Sequence, residues 1–204
     1  MNKEELVEKL RHQGIGGEIL EAIERIDRIN FVPEENRGEA YEDYPLSIGH
    51  GQTISQPYTV ALMLQELEFK KGDKVLEVGT GSGWNAALIS YLVGEKGKVY
   101  SVEIVKELAE KAKEKLQNYR NVTVLNISAA RGLPEYAPYN KIILTAAPKE
   151  LAKEFNEQLA DGGTLLAPVG EYAQKLVKLT RQGGNLIEEE KGDFVFVPLV
   201  DSEY

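Results

Sequence analysis

Residues 75–90 read VLEVGTGSGWNAALIS. An apolar run interrupted by one carboxylate passes through glycines at 79, 81 and 83. After Trp84 the apolar residues fall at helical spacing. Strand, tight turn and helix in that order form the first half of a βαβ unit. Glycine allows the turn a positive φ and lets a ligand approach where a Cβ would collide. In an open α/β sheet such a turn lies beyond the strands' carboxyl ends, where the strand order reverses and ligands bind.

Working outward, strands and helices alternate from residue 74 onward. KVLEV, KVYSVE, VTVLN, KIILT and TLLAPV are strand candidates, and 83–93, 105–118 and 149–159 carry helical periodicity. Strands that are apolar nearly throughout belong to a parallel sheet covered on both faces. The tail KLVKLTR…FVFVPLV supplies two further strands as a hairpin closing one edge. The expected fold is α/β: a Rossmann-like, doubly wound, mostly parallel sheet of about seven strands, with helices on both faces. Upstream, 3–12 and 17–29 read as two helices, and 31–57 shows neither period. A loop that long within a compact domain points to function or to a linker. The expected organisation is 1–56, helices and an active-site loop, packed on a main domain 57–204 as one structural unit.

The turn also selects its ligand. Its spacing is G-x-G-x-G rather than the dinucleotide G-x-G-x-x-G, and no G-K-[ST] follows for a P-loop. Glu77, two residues before Gly79, would repel a pyrophosphate and favour a cation; capping is an equal reading for it. Glu103 ends the next strand, about 20 residues beyond the turn, where an acidic group takes both hydroxyls of a ribose. Turn, Glu77 and Glu103 together describe a nucleoside-like ligand with positive charge, and S-adenosyl-L-methionine (AdoMet) fits.

Composition bounds the alternatives. The 204 residues are 42% hydrophobic and 28% charged, the balance of a soluble globule. There is no cysteine and there are two histidines, so thiolate chemistry is excluded and no metal is expected. A net charge of −9 argues against nucleic acid as a partner. The opening MNKEELVEKL lacks a signal-peptide apolar core, and no stretch reaches the ~20 apolar residues of a membrane span. A cytoplasmic location without membrane contact is expected.

EVGTGSG followed by an acidic second strand is similar to the class I AdoMet-dependent methyltransferases. Residues 31–67, FVPEENRGEAYEDYPLSIGHGQTISQPYTVALMLQEL, resemble a segment peculiar to the protein-L-isoaspartate (D-aspartate) O-methyltransferases. APYNKIILTAAP, GGTLLAPVG and FVFVPLV match that family at corresponding intervals, so the likeness spans 31–200. It implies methyl transfer from AdoMet, without a metal, to the free carboxylate of isoaspartyl and D-aspartyl residues. The ester re-forms a succinimide that can reopen correctly, which repairs aged proteins and peptides. A monomer is expected.

By the same resemblance, Ser55 is the catalytic residue, orienting the acceptor oxygen. Thr53, Ile54, Gln56 and Val197 contact substrate. Glu77, Gly79, Thr80, Gly81, Gly83, Glu103, Ile104, Ser128 and Ala129 hold the cofactor. From the residues alone, Ser55 would be the N-cap of a helix starting at Pro57. His50 reads as an exposed loop histidine and Trp84 as helix–sheet packing; Phe196 and Pro198 would wall the peptide site or simply form an edge strand.

The chain departs from the family at Ile127, Ser128 and Ala129, where Gly-Asp-Gly is usual, and at Asn140, where Asp is common. Ser128 would accept from the adenine amino group without charge assistance, so weaker cofactor binding is expected. Two other readings stay open: a methyltransferase acting on another acceptor, and an AdoMet-binding module that has lost turnover.

Overall fold

The computed structural model describes residues 1–201. Helix α1, Lys3–His12, opens on a capping box in which Asn2 and Glu5 satisfy each other's backbone N–H. Helix α2, Gly17–Arg25, stops short of the periodic stretch that runs to 29. Ile26 turns out of the helix, its carbonyl accepts the Trp84 indole N–H at 3.1 Å, and Asp27 opens a 3-10 turn at Arg28–Asn30. The segment 31–57 is not featureless either. A 3-10 turn at Glu34–Glu39 precedes an antiparallel hairpin of β1, Leu46–Gly49, and β2, Gln52–Ile54. Strands of four and three residues are too short to display a period.

Helix α3, Pro57–Leu67, carries proline in its first turn, where the missing N–H would be unpaired anyway. The alternation then follows as expected: β3 Lys74–Val78, α4 Trp84–Val93, β4 Lys98–Glu103, α5 Lys106–Leu116, β5 Val122–Asn126 and β6 Tyr139–Leu144. Helix α6 covers only Glu154–Gln158 of the expected 149–159. The Pro148 carbonyl accepts from Gly170 N–H, and Ala147 pairs with the C-terminal segment, so the chain here cannot wind into a helix. Strands β7 Leu159–Val169, β8 Gln174–Gln182 and β9 Asn185–Phe194 complete the sheet.

The last strand corrects the sequence reading. The acidic NLIEEEKGDF pairs with β8, and of FVFVPLV only its first residue, Phe194, belongs to that strand. Gly183 and Gly184, at φ 57° and 83°, make the two-residue turn that a hairpin favours, and this sets Gln182 opposite Asn185. Beyond Phe194, which ends β9 opposite Gln174, the apolar tail makes a single bridge among the described residues, from Pro198 to Ala147.

The seven strands lie in the order β5-β4-β3-β6-β7-β8-β9, parallel through β7 and antiparallel beyond it. Alternate residues face opposite layers. Val75, Ile143 and Leu166 join the core containing residues of α1 to α5, while Leu76, Ile142 and Leu165 join Phe155 of α6 on the other side. Leu6 and Leu10 share the first core with Leu64 and Leu88, so the N-terminal helices pack into the main unit. Each such side chain, fully buried, stabilises the fold by ~1.5–3 kcal/mol. The order reverses between β3 and β6, which puts the glycine turn after β3 at the mouth of a crevice.

Candidate active site

The turn is built from backbone conformations that only glycine adopts cheaply. Gly79 has φ 102°, and a Cβ there would stand 2.3 Å from Thr145 Oγ1. That hydroxyl donates to the Gly79 carbonyl at 2.6 Å, so β6 closes directly on the turn. Gly79 and Thr80 donate to the Val102 carbonyl at 2.9 and 3.0 Å, which ties the turn to β4. A Cβ on Gly81 would touch Ile48 Cδ1 at 3.5 Å, so the β1–β2 hairpin lies against the same turn. Gly83 differs: its missing Cβ faces Leu116 and Ala112 of α5, and it is not on the crevice wall.

Glu103, buried at the end of β4, accepts from Gly81 N–H at 2.8 Å and from Val105 N–H at 3.0 Å. One carboxylate thereby fixes the turn and the chain leaving β4, while lining the crevice with Ile104. Glu77 does not reach that wall. Strand alternation sets it opposite Ser101 in the β3–β4 register, fully buried, accepting from Ser101 Oγ and from Asn85 Nδ2 at 2.7 Å. Burial pushes its carboxyl up to about 7, against the lowering hydrogen bonds of Ser101 and Asn85 and with some help from the charge of Glu103.

Native Glu77 therefore keeps a proton that the unfolded chain releases near its ordinary 4.5. The native state binds more protons across that interval, so this contribution to stability is complete below about pH 4.5 and lost as pH rises through about 7. In Glu77→Gln the loss disappears. Thermal melts should show the Tm of the variant gaining several degrees on the original chain between pH 4.5 and 7. Parallel melting curves would show that Glu77 does not titrate there.

The crevice encloses about 480 Å³, within the range of small-molecule sites. Thr53, Ile54 and Ser55 of the hairpin segment face it, as do Gly79, Thr80 and Gly81. Ile127, Ser128 and Ala129, which follow β5, line it as well, and so do Phe196, Val197 and Pro198 of the C-terminal segment. His50, with φ 55° at the hairpin tip, and Trp84, 1% exposed, also line it. Gln56 does not; it precedes α3 and accepts from Thr59 Oγ1 at 3.0 Å.

Ser55 does not cap α3. The Tyr58 N–H is taken instead by Asp43 Oδ1 at 2.9 Å, and Ser55 Oγ has no hydrogen-bond partner among the described residues. Residues the sequence reading did not single out are Thr145 and Asn85. Asn85 lines the crevice and donates from Nδ2 to Glu77, while its Oδ1 is buried without a partner among the described residues. No lysine or arginine lines the crevice among the described residues. Among these residues no group of histidines and acids could hold a metal, and no helix is long and apolar enough to cross a membrane.

Residues 1–204 match the family Protein-L-isoaspartate(D-aspartate) O-methyltransferase (PCMT). A protein-L-isoaspartate O-methyltransferase of Methanosarcina mazei is 46% identical over 198 residues, 96% of this chain and 82% of that one. One from Fervidobacterium nodosum is 44% identical over 197 residues, 95% and 99% of the two chains. A solved protein-L-isoaspartate O-methyltransferase superposes with a TM-score of 0.89 at 31% identity, over 97% of this chain and 65% of that one. A Plasmodium falciparum structure assigned to the same activity, in complex with S-adenosyl-L-homocysteine, gives a TM-score of 0.89 at 26% identity, over 99% and 100%. With the whole chain matched, and with the glycine turn, Glu103 and Ser55 gathered around one crevice, the chain belongs to the protein-L-isoaspartate(D-aspartate) O-methyltransferase family.

Proposed function

We propose that this chain methylates the free carboxylate of L-isoaspartyl and D-aspartyl residues in damaged proteins and peptides, using AdoMet. The observation that carries the reading is Ser55. Asp43 takes the amide that Ser55 would have capped, and Ser55 lines the crevice together with Gly79, Gly81 and Glu103. The residues present fit the cofactor: a crevice of small-molecule size lined by Gly79, Thr80 and Gly81, with the buried carboxylate of Glu103 on its wall. AdoMet, when bound, supplies a methyl group already activated by its sulfonium.

Each residue then has a limited task. Glu103 would receive the ribose hydroxyls, and Gly79 to Gly81 allow close approach of the methionine portion. Ser55 would orient the acceptor oxygen by donating its hydroxyl proton into a hydrogen bond, while Thr53, Ile54 and Val197 enclose the acceptor peptide. No general base is required, because a carboxylate of pKa near 4 is already ionised at neutral pH. Alignment and exclusion of water carry the rate, and well-oriented intramolecular models gain up to ~7–11 kcal/mol that way. Glu77 acts one layer down, bracing β3 against α4 through Asn85.

Ser128 and Ala129 line the crevice where the family likeness is weakest. The Ser128 hydroxyl donates to Asp201 Oδ1 at 2.8 Å, so the C-terminal segment brings a carboxylate to that end.

The test uses labelled AdoMet and two synthetic peptides differing only in an isoaspartyl or a normal aspartyl linkage. Base-labile label in the isoaspartyl peptide alone is the expected result. Label in neither, with AdoMet still bound, would leave a binding module; label only on another acceptor would reassign the substrate.

A further inference from the structure

Arg28, in the 3-10 turn that follows α2, is 1% exposed. Its guanidinium has no carboxylate in ion-pair contact among the described residues and is held by backbone carbonyls instead. Nη1 donates to Ala40 O at 2.6 Å and to Glu42 O at 3.4 Å. Nη2 donates to Tyr44 O at 3.2 Å, Ser55 O at 3.1 Å and Ile54 O at 3.5 Å. Nε is buried without a partner, and the plane sits 5.5 Å from the centroid of the Trp84 ring. Burial lowers the group to about 10, with the nearby charge of Asp43 opposing, and it stays ionised at neutral pH.

A buried charge without a counter-ion is costly, and apolar packing alone would stabilise this region better. Its placement supplies a reason. The carbonyls of Tyr44 on one side, and of Ile54 and Ser55 on the other, are the two ends of the β1–β2 hairpin, which runs from Leu46 to Ile54. The planar fork therefore clasps the neck of that hairpin. Behind it, Trp84 begins α4 directly after the glycine turn and lines the crevice. Lysine, a single point donor, could not span these carbonyls. The charge also lies behind a wall that carries no lysine or arginine of its own and must accept an anion.

We propose that Arg28 is the positioning residue for the acceptor half of the site, clasping the hairpin neck to set Ser55 over the glycine turn and placing a positive charge behind it. This rests on the reading of Ser55 as the residue that orients the acceptor carboxylate. The two are separable: if the reading fails, the original chain itself labels no isoaspartyl peptide, whereas failure of the inference shows only in the variants.

R28K and R28Q are compared with the original chain at a temperature where melts show each fully folded. R28K keeps the charge and loses the fork. Its kcat on an isoaspartyl peptide should fall about 30-fold or more, with the peptide KM and the S-adenosylhomocysteine Kd within threefold. R28Q should lose kcat similarly and raise the peptide KM about tenfold, because the charge is gone as well. Trp84 is the only tryptophan, so its emission should shift in both variants. Unchanged kcat in R28K would overturn the proposal. So would parallel losses of kcat and of S-adenosylhomocysteine affinity, the signature of a merely structural role. If R28Q does not fold, R28K decides the matter alone.

Discussion

Ser55→Ala should lower kcat about 100-fold while leaving S-adenosylhomocysteine affinity within about tenfold. A hydrogen bond to a charged group contributes ~1.5–3 kcal/mol, which is roughly 10- to 150-fold in rate when it acts on the reacting arrangement. The hydroxyl makes no other hydrogen bond among the described residues, so nothing in the protein compensates or masks its removal. Stability should hardly change, because Asp43 rather than Ser55 caps α3. Single-turnover transfer to an isoaspartyl peptide, with calorimetry of S-adenosylhomocysteine and a thermal melt, checks all three statements together. Turnover equal to that of the original chain would remove Ser55 from the mechanism. A large drop in Tm would return it to a capping role.

Glu103→Ala should act on the other ligand. Two backbone amides, Gly81 and Val105, lose their acceptor, and the ribose loses its carboxylate. Leaving a buried donor unsatisfied costs ~1–3 kcal/mol, and the ribose contacts add to that. The expected result is an S-adenosylhomocysteine Kd raised by roughly 10²- to 10³-fold, with a smaller loss of kcat at saturating AdoMet. Glutamine at 103 should recover little, since its amide nitrogen cannot accept from the second backbone N–H. Affinity within threefold of the original would show that Glu103 serves the turn and not the ligand.

The two residues differ in how plainly the sequence shows them. Glu103 is legible because a strand ending in an acidic residue, at a set distance from a glycine turn, is a local pattern with a local cause. Ser55 is legible only through family likeness, since the same TISQP also spells a helix cap. Structure separates those readings by bringing in Asp43, which lies outside any local window. Arg28 and Thr145 are less legible still. The first depends on the chain folding over it from Ala40 to Ser55, and the second on β6 lying beside β3. Strand β9 shows no hydrophobic period because its charges face solvent on an edge, where pairing needs only backbone and a good turn.

Sequence alone determined the parallel α/β alternation, the glycine turn and the carboxylate ending β4, because hydrophobic period and positive φ are properties of neighbouring residues. The tertiary structure decided that Glu77 lies beneath the site instead of on its wall, that Gly83 serves packing, and that the apolar tail beyond Phe194 lines the crevice instead of extending the sheet. Those outcomes depend on which distant group satisfies a given donor, acceptor or charge, and no spacing along the chain encodes that partner.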